Sequence, residues 1–272
     1  MDNQIAQLQQ IVWSYYRENK RLMPWREHID PYWVVVTEIM LQQTQVPRVM
    51  TKFPEFLKQF PDFATLASAS LPQLLGAWQG MGYNRRAKYL QQIAEKIVHE
   101  HNGILPQDPE LLEKLPGIGP ATARSIIVYS YNLPLVFIET NIRRIFIHHF
   151  FSNAETVHDR DIYPLVEKSL DTSNPREWYY ALMDYGTYLG KTVPNPNRKS
   201  KHYTKQSSFQ GSKRKIRGEI LRMLLQYNTL SEAEILQHYE GDEIRAKEVL
   251  MDLIKEQFIK QKDNSYTINH ES

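Results

Sequence analysis

The sequence predicts a mainly α protein that ends in a small winged-helix-like module. Three observations carry this expectation. From residue 4 to about 190, apolar residues recur at helical spacing in segments separated by Pro and Gly. Between 193 and 212 that periodicity stops in a polar, basic stretch holding Pro194, Pro196 and Gly211. Beyond it, three short helical segments precede FIKQKDNSYTI, whose apolar–polar alternation about Asp263 and Asn264 reads as a hairpin.

Ile5, Leu8, Ile11, Val12, Tyr15 and Tyr16 place an amphipathic helix over 4–19. Pro24 and Pro31 bracket a connection, MPWR at 23–26. From Tyr32 the run WVVVTEIMLQQTQV is β-branched enough to suit a strand on propensity, but its length and polar LQQTQV ending favour a helix. Helices follow at about 48–59, 62–69, 71–79 and 84–101, punctuated by Pro61, Pro72 and Gly80-Met81-Gly82. Asp108 caps a short helix from Pro109, and Pro120 opens the next at its first turn. Later helices are expected at about 141–151, 159–170 and 175–190, the last announced by Asn174-Pro175. In the module, Ile216, Ile220, Leu221, Met223 and Leu224 mark one helix. Ser231 and Glu234 form a capping box for a second, and Glu243 to Lys255 make a third. No confident strand is expected before residue 255, and no internal repeat is visible.

With 272 residues, 42% hydrophobic and 11% aromatic, the chain can bury a real core and splits into more than one domain. Its aromatics are mostly amphipathic, 16 Tyr and 5 Trp against 10 Phe, as suits a surface that stacks bases. No apolar run approaches the ~20 residues of a membrane span. The first ten residues lack the basic-then-apolar order of a secretory signal, so a cytoplasmic protein is expected, nucleoid-associated if bacterial. The absence of cysteine rules out disulfides, thiolate metal sites, iron–sulfur clusters and a thiol nucleophile. Net charge is +2, yet nine cations and no acid lie between Lys191 and Arg217, Lys199 and Lys201 among them. Such a belt on an otherwise acidic chain points to a polyanion partner; a solvated basic linker has the same composition.

Four groups of residues can carry chemistry. In Leu115-Pro116-Gly117-Ile118-Gly119-Pro120 the two glycines permit positive φ and leave N–H groups uncovered at a helix start, where a DNA phosphate fits. A tight turn between packed helices has the same pattern. Glu139 ends the apolar run LPLVFI and needs a hydrogen bond, a positive partner or a raised pKa, with Thr140, Asn141 and Arg143 at hand. A helix N-cap is its other reading. Glu38 sits among Val, Ile and Met with no Lys or Arg at three or four residues' distance. Two such carboxylates can divide protonation and cation stabilisation in glycosidic cleavage. The base must first leave the stack, for which Gln42, Gln43 and Tyr83 are candidate wedges beside Arg85, Arg86 and Lys88. A core Tyr with solvated Arg neighbours is the plainer reading of Tyr83.

With MPWR at 23–26, PYWVVVTEIMLQQTQVPRV at 31–49, WQGMGYNRRAKYL at 78–90, LPGIGPATA at 115–123 and ALMDYG at 181–186, the chain resembles the helix-hairpin-helix (HhH-GPD) glycosylase superfamily, and within it the MutY-type adenine DNA glycosylases. TEIMLQQTQV is nearly diagnostic of that branch. The resemblance covers about residues 5–190. It implies a two-lobed helical domain over 1–192, with lobes of about 29–134 and of 1–28 plus 135–192 flanking a DNA groove. A basic linker over 193–212 and a winged-helix-like domain over 213–272 complete the expected organisation. The resemblance further implies Glu38 as the acid assisting the purine's departure, and Gln42, Gln43 and Tyr83 around the vacated and opposing bases. Pro116, Gly117, Ile118 and Gly119 would grip the backbone, with a monovalent cation held by carbonyls such as those of Leu115 and Gly117.

The sequence departs from that family at four places. Glu139-Thr140-Asn141 stands where the family has an Asp in a pattern like DGN. Ala121 stands where bifunctional relatives carry a lysine nucleophile, which implies a monofunctional enzyme without a lyase step. The cluster-binding cysteines are missing from GKTVPNPNRKSKHYTKQSS, and a winged-helix-type segment replaces the 8-oxoguanine-recognising C-terminal domain. The resulting expectation is a monomeric base-excision glycosylase that flips a mispaired purine, adenine first, in double-stranded DNA and needs no cofactor. The same fold acting on a mismatched thymine or uracil or a deaminated purine, or a non-catalytic DNA-damage sensor, are the alternatives.

Overall fold

The structure is a computed structural model and describes residues 2–205 and 211–270, so residues 206–210 of the expected linker lie outside the described residues. Two compact units emerge, Met1–Glu38 with Pro106–Lys205 and Ile39–Leu105 with Gln206–Ser272. The division falls inside helix Pro31–Leu41. The fold is mainly helical, as the periodicity predicts, and among the described residues no helix is long and apolar enough to cross a membrane.

The first unit is built around helix Pro175–Thr192, which buries Trp178, Tyr179, Ala181 and Leu182 completely. Helix Asp2–Asn19 lays Ile5, Leu8, Val12 and Tyr16 against it, and Trp13 meets Trp178 at 5.5 Å between ring centroids. At Gly186 a Cβ atom would lie 2.7 Å from the Cβ and carbonyl oxygen of Asn141, so only glycine lets helix Thr140–Phe150 come this close. Two signature segments also meet here. Arg26 of MPWR, itself in a short helix Pro24–Glu27, donates at 3.0 Å to both oxygens of Asp184 of ALMDYG, and Arg21 adds a 2.6 Å bond. Breaking such a buried pair from one side costs about 3–5 kcal/mol, because the remaining charge has no water to turn to.

The stretch expected to be a linker is in large part folded into this unit. Pro196–Lys199 is a 3-10 turn capped by the Asn195 side chain, which accepts from the Asn197 amide at 3.1 Å. Asn197 donates to the Thr140 carbonyl at 3.0 Å. Val157 and Ser200 form a parallel bridge, Val157 N–H reaching Lys199 O at 2.8 Å and Lys201 N–H reaching Val157 O at 3.0 Å. Polar side chains hold this segment through hydrogen bonds, which apolar periodicity does not register.

In the second unit, helices Val46–Gln59, Phe63–Ala67, Leu71–Ala77 and Arg85–His101 precede the C-terminal module. That module runs helix Lys213–Tyr227, strand Thr229–Ser231, helices Glu232–Gln237 and Glu243–Lys255, then strands Ile259–Lys262 and Ser265–Ile268. Ser265–Ile268 is the central, antiparallel strand, which completes the winged-helix order. Thr229–Ser231 corrects the expectation of no strand before 255; three residues are too few to show alternation, and pairing of Leu230 with Tyr266 places them. The module's core of Ile216, Ile220, Leu224, Leu253 and Phe258 also takes in Leu75, with Leu71 packed against it. That shared core is why the module groups with 39–105.

Candidate functional site

Glu38 and Glu139 both lie in the first unit, and both are half-buried. Glu38 projects from helix Pro31–Leu41, and its Oε2 accepts from the Ser125 hydroxyl at 2.5 Å; Ser125 also donates to Thr122 O at 3.0 Å. Burial pushes the Glu38 carboxyl up to about 7; the Ser125 bond pulls the other way, the charge of Glu139 adds to the rise and Arg26 opposes it. Glu139 is the N-cap of helix Thr140–Phe150, Oε1 accepting from Asn141 N at 2.6 Å and Ile142 N at 3.2 Å. Both bonds fall on one oxygen, which leaves Oε2 for a second partner. Glu is a rare cap, yet its longer chain still reaches the two amides that a shorter acid would satisfy. Burial pushes this carboxyl up as well, against the two amides and the charges of Arg143 and Arg144. Of the expected supports, Arg143 turns to Asp159 at 2.7 and 2.6 Å. Asn141 supplies its backbone amide, while its side-chain oxygen accepts from Arg144 at 2.7 Å.

Sequence reading missed Ser125 and the aromatic floor near it. Tyr129 is buried and stacked on Tyr180, centroids 4.8 Å apart and planes 10° apart, and Arg26 covers the other ring at 4.4 Å. Burial and then the Glu38 charge drive the Tyr129 phenol far above its ordinary value, so it stays neutral. The signal was present in SIIVYSY, where Ser125 and Tyr129 are four residues apart on one face of helix Pro120–Tyr131.

The hairpin at 115–119 has the expected turn with one correction. Gly117 has φ +76, whereas Gly119 is the extended N-cap of helix Pro120–Tyr131 at φ −96. Nothing lies within 4 Å of where a Gly119 Cβ would be, so the fold itself does not demand glycine there, and the helix start stays open to an approaching group. Ile118 is buried and anchors the turn, with its N–H on Leu115 O at 3.2 Å, while Gly117 and Gly119 are exposed and Pro116 is half-buried. The carbonyls at 115 and 117 are the kind of neutral oxygen donor that suits a weakly held monovalent cation. Among the described residues no three His, Asp or Glu side chains gather as a metal site. An iron–sulfur cluster does not fit this chain, which has no cysteine to ligate it.

Gln42, Gln43, Tyr83, Arg85 and Arg86 lie in the second unit. Helix Pro31–Leu41 ends on the first residue of LQQTQV, five residues short of Val46 where that run ends, and Gln43 has φ +55. The guanidinium of Arg86 explains the stop. It is 6% exposed and donates to the carbonyls of Ile39 at 2.9 Å, Met40 at 2.8 Å and Gln42, satisfying the open end of the helix. It also reaches Thr44 at 2.9 Å, Met81 O at 3.1 Å and Gly82 O at 3.2 Å. Arg86 therefore clasps the 42–44 and 81–83 loops together and cannot face a phosphate, which corrects its expected DNA-binding role. Arg85 is exposed but paired with Glu256, and Lys88 donates to the Glu256 carbonyl at 3.0 Å. Tyr83 is half-buried with φ +48, and Gln43 is exposed.

The cations of the basic belt divide between the two units, and several are already paired. Lys199 donates to Ser152 O, Lys213 pairs with Glu248 at 2.9 Å and Arg217 with Glu256, whereas Lys191, Arg198, Lys201 and Lys205 are exposed.

Residues 36–166 match the family described as HhH-GPD superfamily base excision DNA repair protein. The chain is 37% identical over 148 residues to the adenine DNA glycosylase of Mycobacterium tuberculosis (strain CDC 1551 / Oshkosh), covering 54% of this chain and 46% of the relative. It is 32% identical over 197 residues to the adenine DNA glycosylase of Homo sapiens, covering 68% and 35%. The chain thus spans about half, or less, of the length of these relatives. Among solved structures, a thermostable thymine-DNA glycosylase superposes with a TM-score of 0.62 at 19% identity, over 68% of this chain and 86% of that one. Endonuclease III in a non-covalent DNA complex superposes with a TM-score of 0.61 at 16% identity, over 71% and 89%. These likenesses agree on the fold. Through residues 36–166 the chain matches the HhH-GPD superfamily of base excision DNA repair proteins, and the sequence relatives named above are adenine DNA glycosylases.

Proposed function

We propose that the protein is a monofunctional DNA glycosylase that takes adenine out of a mispair in duplex DNA and hydrolyses its N-glycosidic bond. The observation that carries this reading is the pair formed by Glu38 and Glu139, two half-buried carboxylates of which the charge of Glu139 adds to the cost of ionising Glu38. With its carboxyl pushed up to about 7, Glu38 holds a proton near neutral pH and can hand it to the departing base. Glu139, fixed by two helix amides, stabilises the oxocarbenium ion with the oxygen it does not use in capping. Ala121 offers no amine, so the sugar is released to water with no Schiff base. The open helix start at Gly119 and the exposed Lys201 and Arg198 bind backbone phosphate, and a monovalent cation at the Leu115 and Gly117 carbonyls adds positive charge beneath it. The relatives in curated sequence are adenine DNA glycosylases, which supports adenine over other bases.

The test is single-turnover excision on duplexes carrying adenine opposite each base or 8-oxoguanine, with mismatched thymine, uracil and hypoxanthine as competitors. Wild type should release adenine, and Glu38→Gln and Glu139→Gln should each lower the rate by at least ~100-fold while leaving duplex affinity within a few-fold. Release of another base alone redirects the substrate assignment. No release from any duplex, with binding intact, supports a non-catalytic sensor. The capping bonds of Glu139 favour that second reading, since they give the residue a purpose without catalysis.

A further inference from the structure

Within the second unit, the C-terminal module engages a cation that the sequence offers to DNA. Arg85, the first residue of helix Arg85–His101, pairs with Glu256, the C-cap of helix Glu243–Lys255. The two oxygens of that carboxylate are divided between two arginines. Oε1 accepts from Arg85 Nη2, and Oε2 accepts from Arg217 Nη2 at 2.5 Å. Asp252, one turn earlier on the same helix, lines the same wall as Arg85. The joint is anchored beside the pair. Lys88 donates to the Glu256 carbonyl at 3.0 Å and lies 5.6 Å from the Phe258 ring centroid, and Leu75 enters the core of the module.

We propose that Glu256 occupies a DNA-phosphate site, so that the C-terminal module keeps Arg85 closed until a backbone phosphate of a duplex takes the place of the carboxylate. The inference rests on the DNA-binding part of the reading above. A carboxylate and a phosphodiester each spread one negative charge over two acceptor oxygens, and guanidinium groups bind both through charge-assisted hydrogen bonds. Exposure decides which half of the shared pair opens. The side chains of Arg217 and Glu256 are 16% and 18% exposed, whereas that of Arg85 is 61% exposed. An ion pair with one end in water is weak and exchanges partners, while a buried one leaves an uncompensated charge when broken. Phosphate therefore reaches Arg85 from solvent, and Glu256 stays with Arg217. Because Lys88 and Leu75 hold the module in place, the carboxylate remains close by and competes at high effective concentration. Apparent affinity for DNA is then the intrinsic affinity reduced by the fraction of molecules in which Arg85 is released.

The experiment measures equilibrium binding of the full chain to a duplex with one adenine–guanine mispair, by fluorescence anisotropy at fixed salt. The proteins are wild type, Glu256→Gln, Glu256→Asp, Arg85→Ala, the double variant Arg85→Ala with Glu256→Gln, and Glu240→Gln. Glu240 is an exposed acid of the same module, and its substitution controls for the loss of one negative charge. Gln at 256 keeps an acceptor oxygen for Arg217 and gives up the charge, so Glu256→Gln should bind about three- to tenfold tighter than wild type. Glu240→Gln should stay within about twofold of wild type. The gain should disappear in the double variant, an outcome that a merely structural role for Glu256 does not produce. If Glu256→Gln does not fold, as read by circular dichroism, Glu256→Asp takes its place. It keeps the charge that Arg217 needs, draws back from Arg85 by one methylene and should bind about twofold tighter than wild type. Affinity no higher than that of Glu240→Gln, or a gain that survives Arg85→Ala, overturns the assignment. An Arg85-dependent gain in a protein that excises nothing would leave this inference standing and remove the catalytic reading instead.

Discussion

Replacing Glu38 with Gln should remove activity and yet make the protein more stable in alkaline solution. A lift of the carboxyl from 4.5 to about 7 means that the folded state disfavours the ionised form. At ~1.4 kcal/mol per pH unit, that corresponds to about 3 kcal/mol, to be discounted to about 2 because the side chain is only half-buried. The sign follows from linkage. The unfolded chain ionises Glu38 near pH 4.3, whereas the folded chain holds the proton to about pH 7. The contribution to stability is complete below the unfolded value, falls as pH climbs through the interval and is gone above the folded value. Gln does not titrate and its carbonyl can still accept from Ser125, so the variant avoids the loss. Thermal unfolding followed by circular dichroism should give equal melting temperatures near pH 4.5 and a variant about 5 °C more stable at pH 8. A variant equal to or less stable than wild type at pH 8 would refute the claim that Glu38 is held in its acid form by its surroundings.

Ser125→Ala removes a bond that favours the Glu38 carboxylate, so the carboxyl should rise further. The alkaline limb of the single-turnover pH profile should then move up by about one pH unit, and an unmoved or lowered limb would exclude Ser125 as its partner. Arg86→Met keeps the apolar stem but leaves the carbonyls of Ile39, Met40 and Gln42 without their donor. It should lower unfolding free energy by about 3 kcal/mol in urea titration, and an unchanged midpoint would dismiss Arg86 as the clasp of the two loops.

The helical body was legible because its cores are periodic and its breaks are Pro and Gly, as at Pro72, Pro109 and Pro120. The two carboxylates were legible for the opposite reason, as charges where the pattern calls for apolar residues. What escaped depended on side chains meeting from distant parts of the chain. Helix Pro31–Leu41 ends early because an arginine more than forty residues away takes its carbonyls. Arg86 looked like one cation in the row Arg85, Arg86 and Lys88, and composition cannot tell a buried guanidinium from a solvated one. The segment after 193 has linker composition because its order comes from Asn195, Asn197 and a bridge to Val157, none of which leaves an apolar period.

That hydrogen-bonded segment also sets what the protein depends on while it is being made. A loop tied by a cysteine-ligated cluster becomes ordered only after iron and sulfide have been delivered. Here the 3-10 turn at Pro196–Lys199 and the bridge at Ser200 form from the chain's own amides and carbonyls. Maturation of this region therefore asks nothing of iron supply, and with no thiol in the sequence there is none for an oxidant to attack. Chelators and iron starvation, which strip or withhold a cluster, have nothing to act on at this end of the first unit.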